Sequence, residues 1–203
     1  TGWYTLSLHD ALPILFRLLI FTGARLREIM LARWEWVRPA ERVIALPDSK
    51  TGARRIPLSQ SALEELERLS QLRTVGNPYL IEGREPGQPL VNPEKPWRRV
   101  RERAGEMLNQ RRAEAGLPPL DENPFDGLRI HDLRHSFASV AIRAGMGLPY
   151  IGKALGHTQG RTTERYAHLA NEAALLTADT VGARIVEAIS LPLAPVETIG
   201  KNG

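Results

Sequence analysis

The 203-residue sequence contains no cysteine. That excludes a disulfide framework, a thiol nucleophile and any zinc site built on cysteine. The absence is consistent with a reducing cytoplasm. No long hydrophobic run is present either. The longest apolar stretch, Ala11 to Phe21, is shorter than a membrane span and carries Arg17. No positively charged leader precedes it, which argues against a signal peptide, so a membrane is not among the expected partners. An initiator methionine is also missing, and the sequence is read as a fragment. There is no internal repeat. Four histidines sit in the second half (His131, His135, His157 and His168), but no His-Glu-x-x-His or comparable carboxylate spacing accompanies them. A metal hydrolase therefore lacks a ligand set, and neither metal nor cofactor is expected.

What is present is ordinary for a globular domain: 42% apolar and 25% charged residues, in a length that suits one core. The net charge of +4 is mild, but its distribution is not. Between Lys95 and Arg112 seven basic residues (Lys95, Arg98, Arg99, Arg101, Arg103, Arg111 and Arg112) stand against Glu102 and Glu106, a local net of +5, so the remainder is slightly acidic. Such a stretch is either a solvated helix face or a surface that tracks phosphates.

Periodicity and turn residues outline the elements. Ala11 to Phe21 reads as a buried helix with Pro13 in its first turn, ended by Thr22-Gly23. Arg25 to Arg33 reads as a short second helix. Residues 34 to 58 look extended, with strands at Val43–Leu46 and Arg55–Leu58 around a turn that carries Lys50. Ser59 or Ser61 caps a helix running to about Arg73. Gly76 to Pro96 is a loop with a short strand at Tyr79–Ile81, Trp97 to about Ala115 is the basic helix, and Gly116 to Gly127 is a second loop. Helices follow at 131–144, 149–155, 162–168 and 171–189, and Pro192 and Pro195 mark a tail. In the first of these helices, spacing puts His131 and Arg134 on one face, with Leu133, Phe137, Val140 and Ala144 as the apolar stripe behind them.

Taken singly, each polar residue has a structural explanation. Arg25 can simply pair with Glu28 three residues on, and Tyr166 can be a packing residue with a satisfied hydroxyl. Their order is more informative. Thr22-Gly23-Ala24-Arg25 with Glu28, Ser49-Lys50-Thr51-Gly52, His131-x-x-Arg134, Leu155-Gly156-His157 and Tyr166 follow one another along the chain. This set resembles the motifs of the tyrosine recombinase (phage integrase) family, over about Ile14 to Ile189.

The resemblance implies the catalytic-domain fold of that family, mainly helical with a small antiparallel β-sheet. It divides the chain into a poorly matching stretch at 1–13, a catalytic domain at 14–189 and a C-terminal tail at 190–203. Tyr4 to Ile14 resembles translated sequencing-adapter read-through. It also implies an enzyme of site-specific DNA recombination, independent of metal and ATP, that breaks and rejoins strands through a 3′-phosphotyrosine. Tyr166 would be the nucleophile, Arg25 and Arg134 the clamp on the scissile phosphate and Lys50 the general acid. His131 and His157 would complete the pocket, with Glu28 and His135 supporting it. Lys95, Arg98, Arg99, Arg101 and Arg103 are candidate DNA contacts.

The chemistry is coherent on its own terms. Attack on a phosphodiester adds negative charge to its non-bridging oxygens, and two guanidiniums present fixed donors to them. A tyrosine hydroxyl, with a reference pKa of about 10, needs a base, for which His131 is the candidate. The departing sugar oxygen needs a proton, which Lys50 can bring. A catalytically silent DNA-binding module of the same fold would require a broken motif, and none of these positions is broken.

The implied partners are double-stranded DNA and further copies of the chain, four on the DNA, with the apolar tail (Leu191, Leu193, Val196, Ile199) docking on a neighbour. The implied location is the cytoplasm of a bacterium, at the nucleoid, in a protein of bacterial or phage origin. Only 24 residues precede Arg25, so the helical DNA-binding domain that the family places first would belong to a longer parent. Gly105 to Gly127 is longer than in many relatives and is expected to form an extended helix and loop at the DNA-facing edge.

Overall fold

The computed structural model describes residues 8–47 and 52–157. Helix α1 (Leu8–Thr22) is the central element. Its Leu15, Leu18 and Leu19 are fully buried, and it packs between α3 (Gln60–Gln71) and α5 (Asp132–Arg143). Pro13 lies inside this helix rather than in its first turn. α1 starts earlier than the apolar pattern suggested, and Leu12 and Ile14, on either side of the proline, are both in the core. The helix ends as expected. The Thr22 hydroxyl folds back to donate to the Leu18 carbonyl at 2.6 Å, and Gly23 takes a left-handed turn at φ 61°.

Helix α2 is a single short turn, Leu26–Met30, and stops before Arg33, which instead bridges to Tyr79. The segment expected to be extended contains two 3-10 turns, Trp34–Trp36 and Pro39–Glu41. Between them lies a two-residue strand, β1 (Val37–Arg38), too short to leave a period-two signal. β2 (Val43–Leu46) has the limits that its apolar run indicated. β3 runs Arg54–Pro57, one residue earlier than read from the sequence. The three form an antiparallel sheet in the order β1-β2-β3, with Ile44 opposite Ile56 and Leu46 opposite Arg54.

The Ser59 hydroxyl caps α3 by accepting from the Ala62 N–H. The buried Glu65 carboxylate ties α3 to α1 through Arg17 at 2.8 Å. Tyr79–Ile81 is not a strand of its own; it contributes one isolated bridge, from Tyr79 to Arg33. Helix α4 (Glu94–Glu114) carries the basic residues. A second, smaller cluster (Ala138, Ile142, Ile151, Leu155) joins α5 to α6 (Leu148–Leu155). Among the described residues no helix is long and apolar enough to cross a membrane. The helices expected at 162–168 and 171–189 and the tail lie outside the described residues.

One expectation about α5 is overturned. Its buried face is Arg134, Ala138 and Ile142, whereas Val140 is 66% exposed and Ala144 is exposed. The arginine thus belongs to the packed side of the helix, and part of the supposed apolar stripe faces water. The reason is tertiary: acceptors from two other segments wait for the guanidinium on that side.

Candidate active site

The site is built around the end of α6. Gly156 adopts φ 67°, and the turn closes with two backbone bonds, His157 N–H to Gly152 O at 2.9 Å and Gly156 N–H to Lys153 O at 3.0 Å. This is the glycine-ended arrangement that satisfies two of the orphan carbonyls of a helix C-terminus. The next three carbonyls are taken by three arginines from three other segments. Arg54 Nη2 donates to Ala154 O at 3.2 Å, Arg134 Nη2 to Leu155 O at 2.8 Å, and Arg25 Nη2 to Gly156 O at 3.5 Å. The negative end of the helix dipole favours cations at this position. His157 follows directly, so the Leu155-Gly156-His157 motif forms the floor on which the arginines converge.

Gly23 is equally constrained. A Cβ there would lie 2.7 Å from both Leu155 Cδ2 and Phe137 Cδ1. The chain can pass this close to α5 and α6 only without a side chain, and that proximity lets the Gly23 carbonyl accept from Arg134 Nη1 at 2.5 Å. Arg134 is buried, with 5% of its surface exposed. Charge-assisted bonds of this kind contribute about 1.5–3 kcal/mol each, which offsets part of its desolvation.

Arg25 precedes α2 and is held by Glu28. The carboxylate accepts the Arg25 backbone N–H at 2.8 Å and its Nη1 at 2.7 Å, and it also accepts from Arg54 Nη1. Burial raises the pKa of Glu28, but the Arg25 backbone bond, the Arg54 charge and the two side-chain bonds outweigh it, so the net shift is below 4.5. Burial lowers the pKa of Arg54 and the Glu28 charge opposes that shift.

His131 immediately precedes α5 and meets His135 edge to face, with ring centroids 5.0 Å apart. Partial desolvation, then the charges of His135 and Arg134, push its imidazole below 6.5. A neutral imidazole is the form that can accept a proton.

The described residues thus bring together Arg25, Glu28, Arg134 and the backbone that leads into His157, with His131 just before the helix that carries Arg134 and His135 on it. Lys50 and Tyr166 lie outside the described residues. Arg54 was missed in the sequence. The signal was there: in β3 it stands two residues before the fully buried Ile56, so period two puts both on the inward face.

The basic helix is less available than its composition suggested. Arg98 faces Glu102 at 3.5 Å and Arg103 pairs with Glu106 at 2.8 Å. Arg101 donates to the Asp126 carbonyl and Arg112 Nε to the Pro118 carbonyl, so both strap the 116–128 loop to α4. Asn123 packs against Gly105 and donates to Arg101 O at 3.1 Å, which fixes the same loop. The side chains of Lys95, Arg99 and Arg111 make no hydrogen bond or ion pair among the described residues. Nor do the described residues include a group of three or more His, Cys, Asp or Glu side chains placed to hold a metal.

Comparison with known proteins agrees with the family resemblance. The chain matches the phage integrase family over residues 5–173. It is 29% identical over 165 residues to tyrosine recombinase XerA of Pyrococcus furiosus, covering 80% of this chain and 51% of that protein. It is also 29% identical over 155 residues to tyrosine recombinase XerC of Pseudomonas aeruginosa, covering 76% and 46%. The chain therefore spans about half the length of these relatives. Among solved structures it resembles the Tn1549 transposon integrase in complex with circular intermediate DNA (TM-score 0.57, 19% identity, 77% of this chain and 53% of that one). It also resembles XerA recombinase (TM-score 0.53, 20% identity, 84% and 62%). These likenesses establish the fold, that of tyrosine recombinase catalytic domains.

Proposed function

Because this chain belongs to the phage integrase family, we propose that it performs the DNA cleavage and rejoining step of site-specific recombination, through a covalent 3′-phosphotyrosine on Tyr166. One observation carries the reading. Three motifs far apart in sequence are joined by direct hydrogen bonds: Arg134 to Gly23 and Leu155, and Arg25 to Gly156. Such bonding is what a pocket for one phosphate requires, since two guanidiniums must be held still relative to each other.

In the proposed reaction the Tyr166 oxygen attacks the scissile phosphorus while His131 takes its proton. The phosphorus–oxygen bond to the 5′ side breaks, and Lys50 protonates the departing sugar oxygen. Arg25 and Arg134 balance the charge that grows on the non-bridging oxygens. One diester replaces another, so rejoining by a 5′-hydroxyl reverses the steps without ATP. Glu28 and His135 support the pocket. No side chain is assigned to a metal, and cleavage is expected to persist in excess chelator. Double-stranded DNA is the proposed substrate, met in part by Lys95, Arg98, Arg99 and Arg103, while Arg101 is taken by the Asp126 carbonyl, and four copies are proposed to assemble on it. A cytoplasmic, nucleoid-associated location follows from that substrate.

The test uses the 203-residue chain and a pool of nicked duplexes of randomised sequence, each nicked so that cleavage releases a short 5′-hydroxyl fragment. A denaturation-resistant protein–DNA adduct should form, select its preferred duplex from the pool, and vanish in Tyr166→Phe. An adduct of equal yield in that variant would sink the assignment. DNA binding with no adduct from the wild type would make the chain a silent module of the same fold.

A further inference from the structure

Arg54 is a buried cation that the reaction above leaves without a part. It stands on β3, its side chain is 6% exposed, and it reaches two other elements at once: Glu28 in α2 and the Ala154 carbonyl at the end of α6. Glu28 is 7% exposed, while Arg25, on the other side of the carboxylate, is 30% exposed. The three side chains form a line of alternating charge that runs from the interior to the mouth of the site. Arg54 occupies one oxygen of Glu28, Oε2, shared with the Arg25 backbone N–H, and the other, Oε1, holds Arg25 by Nη1.

We infer that Arg54 is a positioning residue for DNA cleavage: by fixing the Glu28 carboxylate and the α6 terminal turn together, it sets where the Arg25 guanidinium stands against the scissile phosphate. This rests on the proposed recombinase reading and deepens it. A buried ion pair is a poor device for stability alone, because desolvation consumes most of the attraction. Its use is geometric. Without Arg54, Glu28 Oε2 keeps only the Arg25 backbone N–H and has a lone pair for a second guanidinium nitrogen, so the carboxylate can draw Arg25 into a bidentate pair, which turns it from the substrate. The α6 turn also loses the donor to Ala154 O. Gly156 belongs to the same device: a Cβ there would sit 2.7 Å from Arg54 Cζ and 2.8 Å from Arg54 Cδ.

The experiment compares wild type, Arg54→Ala and Arg54→Lys on the duplex selected above. Each is assayed by single-turnover release of the 5′-hydroxyl fragment, at a temperature below every variant's melting transition. A second substrate carries a methyl group in place of one non-bridging oxygen of the scissile phosphate. That group is neutral, so it needs less cationic compensation from Arg25. On ordinary DNA Arg54→Ala should be about 10- to 100-fold slower, less than the 10²–10³-fold typical when a transition-state donor is deleted outright. On the methylphosphonate it should fall within a few-fold of wild type. Arg54→Lys, which keeps a cation for Glu28 but cannot span both acceptors, should be intermediate and gives the answer if Arg54→Ala does not fold. Equal losses on both substrates would make Arg54 merely structural, and no loss on ordinary DNA would remove its role. If the wild type itself forms no adduct, the recombinase reading fails instead.

Discussion

The Arg134 guanidinium donates to the Gly23 carbonyl at 2.5 Å, across 111 residues of sequence. The bond fastens α5 to the turn that launches Arg25, so the two arginines of the proposed clamp share one frame. A lysine at 134 has one ammonium and no fork, and it cannot reach Gly23 O and Leu155 O as the guanidinium does. Arg134→Lys should therefore lose about 1.5–3 kcal/mol, the value of one charge-assisted bond. Chemical denaturation measures it, and a loss below about 0.5 kcal/mol, the level of a neutral surface change, would mean that the two carbonyls do not need the fork.

Gly156 and Gly76 separate backbone strain from steric conflict. Both have positive φ, 67° and 85°, but a Cβ at Gly76 meets nothing within 4 Å, whereas one at Gly156 meets Arg54. Gly76→Ala should cost about 1–2 kcal/mol, the strain of a left-handed residue. Gly156→Ala should cost clearly more, with a melting point lower by several degrees. Equal losses would show that Arg54 does not lie beneath the turn.

The acid limb of stability should depend on Glu28. Its folded pKa lies below 4.5, so its contribution is complete above that value and disappears as the pH falls through the folded pKa. Glu28→Gln should lower stability at neutral pH and flatten the decline on acidification. Urea midpoints from about pH 3 to 7 test this, and an unchanged slope in the variant would locate the acid-sensitive groups elsewhere.

His131 governs a different limb. Its pKa is depressed below 6.5 by partial desolvation and by the charges of His135 and Arg134, with Asp132 opposing and Arg129 adding to the depression. A base with that pKa is already neutral at physiological pH. Single-turnover cleavage should rise with pH to a plateau whose midpoint lies below 6.5, and His131→Gln should remove the limb. A midpoint above 6.5, or a limb that survives in the variant, would assign the base to another group.

The face of α4 should divide by function. The side chains of Lys95, Arg99 and Arg111 have no partner among the described residues, whereas that of Arg101 holds the Asp126 carbonyl. Changing the first three to Gln should make the salt dependence of DNA binding shallower, by about one unit of slope for each phosphate left unneutralised, without moving the melting point. Arg101→Gln should do the reverse. If the triple variant binds with the same salt slope, that side of the helix is a solvated face.

The sequence alone determined whatever depends on neighbours along the chain. The apolar run Val43–Leu46 became β2 residue for residue, Ser59, one of the two serines that could cap α3, became its cap, and Gly156 ended α6, because pleat, cap and left-handed turn are local choices. The family was legible for a related reason: the order of residues along a chain can be read whatever the packing around them. The tertiary structure decided where the charges go. Arg134 turned inward and Val140 outward because carbonyls of Gly23 and Leu155 compensate a buried guanidinium, and no window of sequence contains all three. Arg54 joined the site, and Arg101 and Arg112 left the free basic face, for the same reason. A cation is stable in the interior only where distant segments place acceptors around it, and chain folding alone supplies them.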